Sequence, residues 1–388
     1  MKDVFDAIVL GLGAVGSAAV YQLARRRARV LGIDQFKPPH ELGSTHGDSR
    51  ITRIACGEGL EYSQFAVRSH EIWRELERET GSKLLTQNGL LVIAGEKGRR
   101  ARQHEKQNFF EITVDAAKAA GIGHRVLSAA EAARQYPVFK LTERDRVYHD
   151  DRGGFLRPEA CIAAQLQVAE REGAILRYHE RVLDFQEGEL ITVRTQLGSY
   201  EARRVIVAMG PWLPAFLPST FEARLRVTRQ VMYWFPVRKD YDQPEAFAPE
   251  RLPVFIWQLP APQSIYGFPA IDGLDNGVKI ATEQYDFSTD PEAVDRSVST
   301  EETKVMFETY IAPYFSGLSG DAVKTKVCLY TCAPGARFVI DKLGRRENVM
   351  VASACSGHGF KHSAAIGELL AQMALGEPHQ SIEPFRLR

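Results

Sequence analysis

Short apolar runs alternate with amphipathic stretches along this chain, and the first pair sets the pattern. Asp6-Ala7-Ile8-Val9-Leu10 predicts a strand, and Arg29-Val30-Leu31-Gly32-Ile33 predicts a second that stops at Asp34. Between them Ser17 to Arg27 predicts a helix with Ala18, Ala19, Leu23 and Ala24 turned inward. Tyr62 to Thr80 predicts a longer amphipathic helix, with Phe65, Ala66, Ile72, Trp73 and Leu76 on one side. A strand is expected at Leu90 to Ala94, and residues 95 to 150 read as charged and helix-rich. Arg157 to Gly173 predicts a helix starting near Pro158, followed by strands at 174–178, 181–186 and 191–195. A buried strand from Arg204 stops at Gly210, and Trp212 just beyond reads as core. Residues 220 to 325 alternate strands with loops and carry Tyr233, Trp234, Phe235, Phe255, Trp257, Tyr266 and Phe268; an antiparallel sheet roofing a pocket is expected. Thr300 to Tyr314 reads as helix. Strands then follow at 326–331, 338–341 and 349–354, and Ser356 to Lys361 opens a helix that Gly376 closes.

The first forty residues carry a specific signal. Gly11-Leu12-Gly13-Ala14-Val15-Gly16 spells G-x-G-x-x-G between strand and helix, with Asp34 at the end of the second strand. Gly11 permits the tight turn, Gly13 lets backbone approach a pyrophosphate, and Gly16 lets the helix pack closely on the strand. The helix N-terminus offers unpaired N–H groups to phosphates. Asp34 is placed to accept from a ribose diol, which favours FAD or NAD over NADP. A second glycine-rich turn, Ser356-Gly357-His358-Gly359, stands at the far end of the chain. Proteins of the glutathione-reductase type return to the flavin with their last strand and helix, so FAD is favoured.

The expected class is therefore α/β: a Rossmann-like FAD-binding domain of the glutathione-reductase type, plus an α+β substrate domain with an antiparallel sheet. Residues 1–85, 150–220 and 325–388 are assigned to the first, and 86–149 and 221–324 to the second.

Composition narrows the partners. A formal net charge of +0 excludes a strong field for nucleic acid or anionic membrane, and no apolar run approaches a membrane span. The first strand begins at once, so no signal peptide is expected and a cytoplasmic protein is. Five scattered cysteines read as reduced thiols; Cys328 and Cys332 have no second pair or histidine cluster beside them, so no metal site is expected. The loop Gly43 to Arg53 gathers small, polar and cationic residues where a nucleotide fold places its cofactor. Arg50 and Arg53 would share a face if a helix began there, one addressing the cofactor and the other a substrate anion. In Val278 to Glu283 a strand puts Lys279 and Glu283 on one face, a pairing that is usually a surface ion pair.

The segments GLGAVGSAAVYQLA, GSTHGDSRITRIACGEGLEY, YGFPA with VKIATE, KVCLYT, CSGHGFKHS and the ending EPFRLR together resemble the monomeric sarcosine oxidase and N-methyltryptophan oxidase family, over nearly the whole chain. The resemblance implies FAD held covalently by a cysteine thioether, at Cys328. It implies a substrate carboxylate gripped by Arg53 and Lys361. Arg50 and His46 then face the flavin, and Lys279 stands above it for oxygen activation. Tyr266, Tyr330, Gly357 and His358 take pocket and flavin-edge positions, with Ser44 and Gly359 among the cofactor contacts. Glu283 departs from the family, which carries histidine there; K-x-x-x-E is instead similar to fructosyl amino acid oxidases. The implied activity is oxidation of an N-methyl amino acid such as sarcosine or N-methyl-L-tryptophan to the primary amino acid, formaldehyde and hydrogen peroxide, by a monomer whose partners are that small molecule and oxygen. A fructosyl amino acid oxidase, a flavin amine dehydrogenase with another acceptor, and a non-enzymatic nucleotide-binding module remain the alternatives.

Overall fold

The computed structural model describes residues 4–95, 108–217, 225–259, 264–344 and 347–387. Part of the stretch expected to be helix-rich, and Arg388 of the EPFRLR ending, lie outside the described residues.

Three parallel strands set the frame. Val4–Leu10 lies between Val30–Ile33 and Ser199–Val207, and Val349–Ser353 pairs in parallel on the far edge of the last. Their registers bring Leu10 beside Ile33 and Val207, and Val207 beside Val351. Four carboxyl ends thus finish at one edge, where an open α/β sheet binds its ligand. The strands are buried along their length, as their near-continuous Val, Ile and Leu runs require. The hairpin Val182–Glu187 and Ile191–Thr195 extends one side of the sheet, and Val339–Leu343 pairs with Val349–Ser353.

Ala14–Arg25 begins inside the glycine motif, three residues earlier than the apolar pattern predicts. At Gly16 an added Cβ would sit 1.7 Å from the Gly11 carbonyl oxygen, so only glycine lets this helix start against the strand. Ser363–Leu375 crosses Ala14–Arg25 tightly enough that a Cβ on Gly367 would meet Ala18 Cβ at 2.4 Å. Pro158–Arg171 joins them, with Ser17 Oγ donating to Gln165 Oε1 at 2.8 Å.

A second sheet of eight strands stands over that edge. Its order is Lys324–Cys332, Arg226–Phe235, Val278–Thr282, Ile265–Gly267, Val254–Gln258, Leu90–Ala94, Arg146–Asp150 and His124–Ser128. All its pairs are antiparallel except Val254–Gln258 with Leu90–Ala94. Two of these strands, His124–Ser128 and Arg146–Asp150, fall where the sequence reads as helix-rich; their side chains are too polar to show alternation. A small three-stranded sheet, Arg50–Thr52, Gly154–Leu156 and Leu85–Thr86, is the third. Most of the aromatics in 230–270 pack away from any cavity: Tyr233, Phe235, Phe255 and Trp257 form a core with Phe139 and Phe315.

Candidate active site

Two connected cavities open at the carboxyl edge of the first sheet. The larger spans about 1110 Å³, open solvent at its mouth included, and runs from Asp34 and Gln35, past Gly11, Gly13 and Ala14, to Ser353, Gly357 and Gly359. The smaller, about 460 Å³, is lined by Arg50, Ile51, Arg53, Ile256, Tyr266, Glu283, Tyr330, Gly357, His358, Phe360 and Lys361. Arg50, Tyr330, Gly357 and Phe360 border both, so the two meet there.

The larger cleft fits a dinucleotide. A Cβ on Gly13 would find only Thr45 Oγ1, 4.0 Å away; glycine keeps that cradle open for a pyrophosphate. Asp34 accepts from the Leu12 and Phe36 backbone N–H groups at 2.7 and 2.8 Å, which orients its carboxylate at the far end. Burial pushes its carboxyl above the usual value, against those two hydrogen bonds. Ser44 Oγ and Ser353 Oγ, both buried on the lining, have no hydrogen-bond partner among the described residues. Trp212, expected in the core, lines this cleft instead: it stacks obliquely on Phe36 at 5.3 Å and donates its indole N–H to Glu292.

No helix begins at Arg50. Ile51 and Thr52, both β-branched, continue a strand from Arg50 that pairs with Gly154–Leu156. Arg50 and Arg53 nevertheless border the same cavity, because the chain leaves the strand before Arg53. Arg50 donates to the carbonyls of Ser49 at 2.8 Å and Ser44 at 2.9 Å, and lies 3.4 Å from Cys328 Sγ. Cys328 is buried on Lys324–Cys332; burial pushes its thiol up, while Arg50 and Lys279 pull it down. Cys355 lines the larger cleft, whereas Cys328 is not among its lining residues.

Arg53 and Lys361 converge, but on a residue that the sequence reading missed. Glu58 Oε1 accepts from Arg53 Nη2 at 2.6 Å and from Lys361 Nζ at 3.0 Å, with His358 Nδ1 3.6 Å away. All four residues are buried. Burial pushes His358 down to about 3, so its ring stays neutral. Burial also pulls the Lys361 ammonium down, and Glu58 resists that pull. Within this trio two buried cations face one buried anion. Arg53 Nε, buried, has no hydrogen-bond partner among the described residues. The sequence reading gives Glu58 no role; only its two cation partners in the folded site single it out.

Lys279 does not pair with Glu283. Its Nζ donates to Gly47 O at 2.7 Å, Ser49 O at 2.9 Å and Ser49 Oγ at 3.2 Å, between the rings of Phe268 and Trp234. Burial pulls this amine well below its ordinary value. Glu283, just past the strand end, borders the smaller cavity with Tyr266 and Tyr330. Burial raises both phenols, Tyr266 to about 12. His46 is buried between Arg50 and Lys279, with no hydrogen-bond partner for either ring nitrogen among the described residues, and burial pushes it down to about 3. The last helix starts at Ser363, later than the apolar pattern predicts. A tight turn with positive φ at Ser356 and Gly357 and a short 3-10 turn, Phe360–His362, precede it. At Gly359 a Cβ would fall 1.7 Å from the Ala354 carbonyl, so the turn is pressed onto the strand end.

Four of the five buried histidines make an acid prediction; burial also pulls down the fifth, His149, against the Asp151 carboxylate 3.3 Å away. His46 and His358 are pushed to about 3, His70 to about 4 and His362 well below its ordinary value, all chiefly by burial. The folded state refuses protons that the unfolded chain accepts below about 6.5. Stability is therefore full above that pH and falls as pH drops toward 3, by about 2 kcal/mol per histidine at pH 5. Asp34 and Asp150, raised by burial, act in the opposite sense. Thermal melting of the protein at pH 5 should lie well below that at pH 7.5; equal melting temperatures would contradict neutral burial of these rings.

The fold and its two joined cavities define a nucleotide-binding oxidoreductase with a small-molecule chamber against the cofactor cleft. The chain belongs to the FAD dependent oxidoreductase family, whose signature matches residues 6–373. A monomeric sarcosine oxidase of Bacillus sp. (strain NS-129) is 36% identical over 391 residues, covering 100% of this chain and 97% of that one. N-methyl-L-tryptophan oxidase of Salmonella heidelberg (strain SL476) is 28% identical over 394 residues, covering 99% and 98%. In three dimensions the chain is similar to NikD, an unusual amino acid oxidase essential for nikkomycin biosynthesis, with a TM-score of 0.83, 21% identity and coverage of 99% and 98%. Among the described residues no cluster of His, Cys, Asp or Glu could hold a metal ion, and no helix is long and apolar enough to cross a membrane.

Proposed function

We propose that this protein oxidises the secondary amine of N-methyl amino acids, with oxygen as the acceptor, giving the primary amino acid, formaldehyde and hydrogen peroxide. One observation carries the reading: the buried Arg53–Glu58–Lys361 cluster sets two cations against one anion in the wall of the smaller cavity, where that cavity joins the cofactor cleft. A carboxylate entering there neutralises the surplus and meets the free Arg53 Nε–H. FAD, when bound, accepts the two electrons and the hydrogen from the carbon attached to nitrogen and delivers them to oxygen.

The chain's own residues do the rest. Arg53 and Lys361 fix the substrate by its carboxylate, so that the amine points toward Tyr330 and Gly357. Glu283 offers a carboxylate to the amine; it accepts an N–H and biases which protonation state is held. The amine reacts as the free base, because a protonated nitrogen has no lone pair to release. Ile51, Ile256 and Phe360 exclude water from the reacting carbon. Lys279, held as a cation by two carbonyls and a hydroxyl, supplies positive charge where oxygen is reduced. Cys328 would hold the flavin through its sulfur; joining a thiol to a methyl carbon removes two hydrogens, which oxygen, the acceptor of the reaction, would take up, and Arg50 beside the sulfur favours the thiolate. We place the enzyme in the cytoplasm as a monomer.

A second reading, oxidation of a fructosyl amino acid, rests on Glu283, which gives the cavity an acceptor for a polyol. Peroxide release with sarcosine, N-methyl-L-tryptophan and fructosyl-glycine separates the two. Turnover of an N-methyl amino acid at least tenfold above fructosyl-glycine in kcat/KM is expected, about 1.4 kcal/mol of preference. Preference for the sugar amine would transfer the assignment to the second reading. Amine-dependent dye reduction without peroxide would mark a dehydrogenase.

A further inference from the structure

Lys279 is held by a loop that is itself held from behind. Gly47 and Asp48 both adopt positive φ, +93° and +67°, an arrangement that turns successive N–H groups to one side. Those two N–H groups donate to a single oxygen, Glu159 Oε1, at 2.6 and 3.1 Å. Glu159 stands in the first turn of Pro158–Arg171, on a different element from the loop and from Lys279. The peptide group between Gly47 and Asp48 is therefore gripped at both ends. Its N–H donates to Glu159, and its carbonyl accepts from Lys279 Nζ at 2.7 Å. Its dipole lies with the positive end toward the carboxylate and the negative end toward the ammonium, the orientation that stabilises both charges. The carbonyl two residues on, of Ser49, accepts from Lys279 and from Arg50 Nη1.

We propose that Glu159 is a positioning residue for Lys279, acting through the Gly47–Asp48 peptide to fix where the ammonium stands. The proposal rests on the reading that Lys279 serves the oxygen step. Asp48 at φ +67° is in the left-handed region, which aspartate enters more readily than most non-glycine residues but does not favour over its alternatives. The Lys324 ammonium holds the Asp48 side chain at 2.6 Å, but only Glu159 engages both N–H groups of the turn. Without it the peptide keeps only its carbonyl partners, Lys279 and the Ser49 N–H at 2.8 Å, and flips more readily. A flip would turn the Gly47 carbonyl away from Lys279 and leave the buried amine short of one acceptor.

The test separates the two half-reactions of the flavin-loaded enzyme. In Glu159→Ala, reoxidation of the reduced enzyme by oxygen should slow by about tenfold or more, the scale of an ångström-sized misplacement. Anaerobic reduction by an N-methyl amino acid should stay within about twofold. Glu159→Gln keeps an oxygen acceptor for both N–H groups and should recover most of the loss. In a Lys279→Met background, Glu159→Ala should add nothing, since both act through one ammonium. Amide exchange of the peptide spanning residues 45–50 should quicken in Glu159→Ala whatever the flavin does. Unchanged reoxidation in Glu159→Ala beside a slow Lys279→Met, or losses that multiply in the double variant, would overturn the proposal. If Lys279→Met reoxidises normally, the oxygen-step reading fails instead; a crystal structure of Glu159→Ala then decides the positioning, supporting it if Nζ has moved and refuting it if not. Glu159→Asp, one methylene too short, replaces the alanine variant should that fail to fold.

Discussion

Arg53→Met is expected to lower kcat/KM for an N-methyl amino acid by about a thousandfold, near 4 kcal/mol of lost binding and orientation. Two effects combine. The substrate carboxylate loses a charge-assisted partner, and the cluster loses its surplus positive charge. With Arg53 gone, Glu58 and Lys361 cancel, and a second carboxylate has no net charge to meet. The same change takes one of two cations from a buried carboxylate, so stability is expected to fall as well, by less than for a charge left wholly unpaired. A melting curve alone would therefore mislead. Arg53→Lys keeps a cation beside Glu58, so it should regain stability, while turnover of the carboxylated amine stays low because the guanidinium fork is gone. Recovery of turnover along with stability would show that Arg53 serves the fold and not the substrate. Glu58→Gln by itself should strengthen carboxylate binding, because the entering anion no longer shares its two cations with a resident one.

Cys328→Ala should abolish covalent flavin. The wild-type protein, precipitated in acid, should stay yellow; the variant should release all its pigment to the supernatant. Trypsin should place the chromophore on the peptide from Val327 to Arg337, which also contains Cys332, so fragment masses must assign it to position 328. The geometry sets up a rival. Cys355 lines the cofactor cleft directly, and its sulfur accepts the Thr331 N–H at 3.4 Å. Cys328 is favoured because Arg50 lies 3.4 Å from its sulfur, and a neighbouring guanidinium stabilises the thiolate needed for attack. Pigment found on the peptide bearing Cys355, or washed from the wild type in acid, would contradict the thioether at Cys328.

Much of the nucleotide-binding frame is written locally. The run into Gly11, the G-x-G-x-x-G spacing, the inward alanines and the acid at Asp34 specify strand, turn, helix and strand within thirty-odd residues, and the structure has all four in register. Such elements follow from periodicity and from sterics that act between near neighbours. Arg53, Lys361 and Glu283 were also legible as members of one cavity, though through likeness to a family and not through spacing. What the sequence could not supply were contacts whose partners are far apart along the chain. Glu58 and Lys361 are separated by 303 residues, Glu159 and Gly47 by 112. No local pattern marks a glutamate that will be buried between two cations, because its charge is tolerated only once the folded surroundings balance it. Arg50 misled for a related reason. Its spacing from Arg53 suits a helix face, but pairing with Gly154–Leu156 drew the segment into a strand, and tertiary hydrogen bonds outweigh so short a preference. By itself the sequence determined the nucleotide frame and the kinds of side chain available for chemistry. The tertiary structure alone decided which charges stand together unbalanced, since a charge balance is a sum over everything nearby in space.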